Sequence, residues 1–236
     1  MNRQWLYAKQ PAGKIGKDTF QWTETAIPSP QPGEVLVRTR MLSLDPANRA
    51  WMMGKTYRDA LEPGQVMNGF AIGEVVESHA DGFGKGDIVE GDWGWQDYAV
   101  RPAQRLTKRT VEAPLEMLIG PLSVTGLTAY FGLLDVGRPR PGDTVLVSAA
   151  AGAVGTMVGQ IARLVGCRVV GTAGGQDKCD WIVRELGFDA AVDYKAGGVR
   201  RALAAACPDG IDVYFDNTGG PVLDAALSLM NLRGRI

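Results

Sequence analysis

From Asp143 onward the sequence repeats one unit: a short apolar run, a turn of small residues, and a longer amphipathic run. The runs Thr144–Ser148, Cys167–Ala173, Ala190–Tyr194 and Ile211–Asp216 read as buried strands, and Val154–Val165, Asp177–Leu186, Val199–Ala206 and Val222–Met230 as helices. Strands that return through a helix run parallel, and helices then cover both faces of the sheet. Local punctuation agrees. Gly166 and Gly187 stand where a left-handed helix cap is wanted, and Pro221 stands at a first-turn position. The expectation for this half is a doubly wound α/β domain.

The first half has a different texture. Trp5–Ala8, Phe20–Thr25, Val35–Leu44, Ile72–Ser78, Ile88–Glu90 and Tyr98–Val100 are short β-rich runs divided by turns such as Gln31-Pro32-Gly33. That spacing predicts an antiparallel, barrel-like domain. The texture changes near Gly120–Gly126, so domains are expected over 1–125 and 126–236. A length of 236 residues leaves ample chain for both cores. A net charge of −1 gives no electrostatic reason to expect nucleic acid. No apolar run approaches the roughly 20 residues that span a bilayer, and Met1–Trp5 lacks a secretory core, so no membrane is expected and the placement is cytoplasmic. Three widely spaced cysteines and the single histidine, His79, cannot supply the usual zinc ligand sets.

The segment that carries chemistry is Ala149-Ala150-Ala151-Gly152-Ala153-Val154-Gly155, between a buried strand and an amphipathic helix. Gly152 lets backbone approach a pyrophosphate, Gly155 lets the helix start pack on the strand, and the free amides meet the anion with the helix dipole behind them. Ala151, Gly152, Val154 and Gly155 are therefore the cofactor-binding candidates here. Ala149 replaces the first glycine of the usual dinucleotide fingerprint, and a close-packed turn without ligand is the competing reading. The second strand ends Thr172-Ala173-Gly174-Gly175, with no carboxylate to accept hydrogen bonds from an adenosine ribose. A 2′-phosphate would meet backbone at Gly174 and the charge of Lys178, which favours NADPH. Lys178 could equally be an exposed first-turn lysine.

Gly120–Leu134, Ala149–Gly155, Asp193-Tyr194-Lys195 and Phe215–Gly220 together resemble the zinc-independent medium-chain dehydrogenase/reductases of the curcumin reductase and leukotriene/prostaglandin reductase group. Leu42–Pro46 and Asp92–Tyr98 carry the likeness into the first half, so it covers essentially the whole chain. The resemblance implies a GroES-like substrate domain, a Rossmann domain, and NADPH-dependent reduction of the C=C bond of α,β-unsaturated ketones or aldehydes. It also implies contacts of Lys178 and Tyr194 with the 2′-phosphate and of Asn217 with the cofactor, and a homodimer. Two departures stand out. Where zinc-dependent relatives carry a Gly-His-Glu stretch, this chain reads Gly69–Glu74 without histidine, and Ala47–Trp51 replaces the group's Tyr-Met-Arg run.

For a small hydrophobic enone, something polar must face the carbonyl oxygen where charge develops. Tyr57 is the catalytic candidate for that hydrogen bond or for relaying the proton, against a purely packing role. Trp51, Met52 and Trp95 are candidates for apolar walls, or for core. A zinc-free NADPH quinone reductase and a non-catalytic NADPH-binding protein are the alternatives. Leu232–Ile236 reads as the opening of another buried strand, so the chain is expected to be truncated relative to a full doubly wound sheet.

Overall fold

The computed structural model describes residues 1–236. Two compact units divide between Ile119 and Gly120. That point precedes the one expected at Thr125, because the Gly126 amide and the Thr125 hydroxyl both donate to Gly120 C=O and tie this segment to the second unit.

In the first unit, β1 (Asn2–Tyr7) and β2 (Phe20–Thr25) form an antiparallel pair. β3 (Glu34–Leu42), β4 (Phe70–Ser78), β5 (Ile88–Asp92), β6 (Tyr98–Pro102) and β7 (Thr107–Lys108) form an antiparallel sheet in the order β6-β3-β4-β5-β7. The β1–β2 pair reaches the rest of the unit through bridges at Gln4–Gln96 and Leu6–Val66. Helix α1 (Pro46–Met52) opens on Pro46, whose missing N–H costs nothing at a first-turn position. The short helix α2 (Leu115–Ile119) ends the unit. Its core joins Val35, Val37, Val75, Val89 and Trp93.

The second unit is a five-stranded parallel sheet of β8 (Thr144–Val147), β9 (Arg168–Ala173), β10 (Ala190–Asp193), β11 (Ile211–Phe215) and β12 (Met230–Arg235), in the order β10-β9-β8-β11-β12. Helix α3 (Val124–Phe131) precedes the sheet, and α4 (Ala153–Val165), α5 (Gln176–Leu186), α6 (Val199–Ala206) and α7 (Gly220–Leu227) connect the strands. The period of two along β8 explains why helices are needed on both sides. Val145 and Val147 join the core under α4 and α5, while Leu146 joins the core under α6 and α7. α4 and α5 then end on left-handed glycines, Gly166 at φ 92° and Gly187 at φ 72°.

The last strand exists but is not buried. β12 pairs with β11, and Leu232 on it is 99% exposed.

Candidate functional site

The strand order reverses between β8 and β11, and the β8–α4 and β11–α7 connections leave the same sheet edge in opposite directions. In open α/β sheets a crevice forms at such a point, outside the carboxyl ends of the strands. A cavity of about 540 Å³ lies there, bounded within the second unit by the β8–α4 turn, the tips of β9 and β10, and the start of α7.

Its floor is the small-residue turn. Ala149 adopts φ 46°, the left-handed region that glycine enters freely and alanine enters at about 1 kcal/mol. The replaced glycine of the fingerprint therefore still marks a left-handed position. The Gly152 amide donates to Ala149 C=O at 2.8 Å, closing the turn, and Thr156 N–H to Gly152 C=O is the first bond of α4. The amides of Ala153, Val154 and Gly155 have no acceptor within the helix, as at every helix start. A Cβ on Gly155 would lie 2.4 Å from Ala149 O and 2.8 Å from the Ala150 Cα, so helix and turn are in backbone contact.

One wall is formed by the tips of β9 and β10, where Gly174, Lys178 and Tyr194 line the cavity without any carboxylate among the lining residues. The opposite wall is the turn Thr218–Gly220. Asp216 shapes it by accepting from the Tyr214 hydroxyl (2.8 Å), the Ser148 hydroxyl (3.0 Å) and the amides of Thr218 (2.9 Å) and Gly219 (2.8 Å). Burial works against the charge of this carboxyl, but those amides and hydroxyls outweigh it and hold its pKa below the ordinary value. Desolvation, first, and Asp216 push the Tyr214 hydroxyl the other way.

The expected residues thus divide. Ala151, Gly152, Gly174, Lys178 and Tyr194 lie on the cavity wall. Val154 and Gly155 do not, because Val154 packs on the sheet core and Gly155 is buried under the turn, which leaves only their backbone for a ligand. Asn217 is also off the wall, since its amide donates to Ser148 Oγ (2.7 Å) and its side-chain nitrogen to Ser148 O (2.8 Å), locking β11 to β8. Tyr57 belongs to the first unit, where it is 80% exposed and meets Trp51 edge-on. Trp51 and Met52, candidate substrate walls, are core residues.

A dinucleotide fits this chemistry in two respects. The turn at Ala151 and Gly152 presents backbone to the cavity with Gly155 packed directly beneath it, and Thr172 Oγ1, buried at the cavity floor, has no hydrogen-bond partner of its own.

Comparison with known proteins agrees. Residues 3–109 match a family model described as the N-terminal domain of oxidoreductase, and residues 153–236 one described as zinc-binding dehydrogenase. The NADPH-dependent curcumin reductase of Escherichia coli is 44% identical over 100% of this chain and 69% of its own length. Prostaglandin reductase 1 of Mus musculus is 42% identical over 99% of this chain and 70% of its own. The chain belongs to the medium-chain dehydrogenase/reductases of the curcumin and prostaglandin reductase group. A solved member, CurA from Vibrio vulnificus in complex with NADPH, superposes with a TM-score of 0.93 at 42% identity, covering 98% of this chain and 69% of that one. The second family model is named for zinc, whereas no group of three or more His, Cys, Asp or Glu side chains is placed to hold a metal. His79 instead lies 3.1 Å from the Glu77 carboxylate.

Proposed function

We propose that this chain binds NADPH in the cavity at the β8–β11 reversal and reduces the C=C bond of α,β-unsaturated ketones or aldehydes without a metal. The observation that carries the reading is the composition of the cavity: a backbone-lined anion cradle at one end of α4, with Lys178 and Tyr194 and no acid at the tip of β9. The names and ligand of the relatives support it.

Bound there, NADPH would supply a hydride to the β-carbon of the enone and leave as NADP+, and the α-carbon would take its proton from solvent. The chain's own part is orientation. The amides at the start of α4 meet the pyrophosphate, and Lys178 with the Tyr194 hydroxyl meets the 2′-phosphate. Asp216 holds the Thr218–Gly219 turn, and through it one wall, in a single geometry. Tyr57 is the group assigned to the carbonyl oxygen, its exposed hydroxyl being free to meet a ligand. A hydrophobic enone as substrate, a homodimer and a cytoplasmic location complete the reading by family likeness.

Fluorescence titration with NADPH and NADH, then turnover against enones and quinones, tests it. Tighter binding of NADPH and a saturated ketone as product are expected. Preference for NADH, or oxidation of NADPH with quinones alone, would overturn it.

A further inference from the structure

Asp193 ends β10 with a carboxyl oxygen that two turns share. Its Oδ1 accepts from the amide of Gly175 at 2.9 Å, where α5 begins, and from the amide of Lys195 at 2.9 Å, inside the helical turn Tyr194–Ala196. Gly175, at φ 109°, sets the entry angle of α5, whose third residue is Lys178. The Lys195 amide fixes the turn that carries Tyr194. Both Lys178 and Tyr194 line the cavity.

The two tips are in close contact as well. A Cβ on Gly174 would lie 2.9 Å from the Tyr194 hydroxyl and 2.8 Å from Lys195 Cε. Strand pairing between β9 and β10 ends at Ala173–Asp193, and no backbone hydrogen bond joins the turns beyond it. The Asp193 carboxyl is thus the polar link that sets the distance between them.

We propose, resting on the NADPH reading of the same cavity, that Asp193 is a positioning residue for cofactor selectivity: its oxygen holds Lys178 and Tyr194 at the spacing that a 2′-phosphate requires. The charge of Asp193 is no help in this role, since a carboxylate near a phosphate is repulsive. What the role needs is an acceptor at that point. Asparagine preserves it and removes the charge, glutamate preserves the charge and moves the oxygen by one methylene, and alanine removes the acceptor altogether.

Kd values for NADPH and NADH, measured by fluorescence on the full chain with each variant, separate these contributions. Asp193→Ala raises the NADPH Kd about tenfold while NADH changes less than about twofold, and Asp193→Asn stays within about threefold of the parent for both. Asp193→Glu follows the alanine variant, and replaces it if alanine prevents folding. An unchanged NADPH-to-NADH ratio in the alanine or glutamate variant, or an asparagine variant as impaired as alanine, overturns the proposal. A parent chain that fails to prefer NADPH would instead sink the cofactor reading from which the proposal starts.

Discussion

The second unit makes its candidate site from backbone, whereas the first offers one side chain on an exposed turn. In the second unit both faces of a parallel sheet are covered, so the strand ends are rigidly placed and the turns between strand and helix become the walls. Glycine, alanine and short hydrogen-bonded loops then decide what fits. In the first unit the sheet is antiparallel, the β3–β4 register shifts twice, and Tyr57 stands 80% exposed beside Arg58 and Trp51. Geometry that resides in backbone can be broken only by moving the chain. Geometry that resides in a side chain can be broken by truncation, with the fold intact.

The sharpest test of that contrast is a pair of glycine substitutions. A Cβ on Gly155 would come within 2.4 Å of Ala149 O, and one on Gly73, in β4, within 2.5 Å of Arg38 O. Gly155→Val and Gly73→Val are both expected to cost roughly 1–3 kcal/mol in packing. Only the first should abolish NADPH binding, read as loss of the thermal stabilisation that added NADPH gives. A Gly155→Val chain still stabilised by NADPH as the parent is would remove the turn from the site. A Gly73→Val chain that lost NADPH affinity would show that the cavity is not the property of one unit.

Lys178→Ala comes next in size. It removes one charge-assisted phosphate contact, about 1.5–3 kcal/mol, so NADPH affinity should fall roughly ten- to a hundredfold. NADH, without the phosphate, should be unaffected. Equal losses for both would return Lys178 to the role of an exposed helix lysine.

How much of this was legible follows the same division. The parallel half announced itself because apolar runs, glycine caps and Pro221 all act within a few residues of where they are read. α6, at Val199–Ala206, coincides with its expected bounds for that reason. The polar clamps were invisible. Asp193 and Asp216 look like ordinary strand-end acids until the sheet brings Gly175 or Ser148 to them, and Ser148 and Asp216 are 68 residues apart in sequence. β7 is two residues long and its register depends on β5, so no local pattern could reveal it. The role of Asn217 beside the cofactor rests on family likeness alone; its amide and side-chain nitrogen both donate to Ser148.

A smaller effect tests the turn from the opposite direction. Ala149 sits at φ 46°, so Ala149→Gly should relieve left-handed strain, partly offset by the greater freedom of glycine in the unfolded chain. A net gain of up to about 0.5 kcal/mol, at most about 2 °C in Tm, is expected with NADPH affinity retained. A fall in Tm would mean that the alanine methyl packs well enough to outweigh the strain.

The smallest expected effect is none at all, and it concerns zinc in the first unit. The run that replaces the Gly-His-Glu of zinc-dependent relatives crosses into β4, where Ala71 and Ile72 are fully buried and Glu74 pairs with Arg40 at 2.9 Å. A Cβ on Gly69 would lie 2.7 Å from the Trp95 ring, so the glycine of that run is held by packing. The cysteines offer no substitute, because all three lie buried in the second unit, and burial, with nearby Asp143 and Asp212 adding to it, pushes the Cys167 thiol up to about 11. Burial raises Cys207 to about 11 as well, and none of the three joins a group of His, Cys, Asp or Glu side chains placed to hold a metal. NADPH-dependent turnover should therefore be unchanged after exhaustive treatment with a strong chelator, and elemental analysis should find well under one zinc per chain. Stoichiometric zinc whose removal stops turnover would mean that the first unit assembles a ligand set from residues this fold keeps apart.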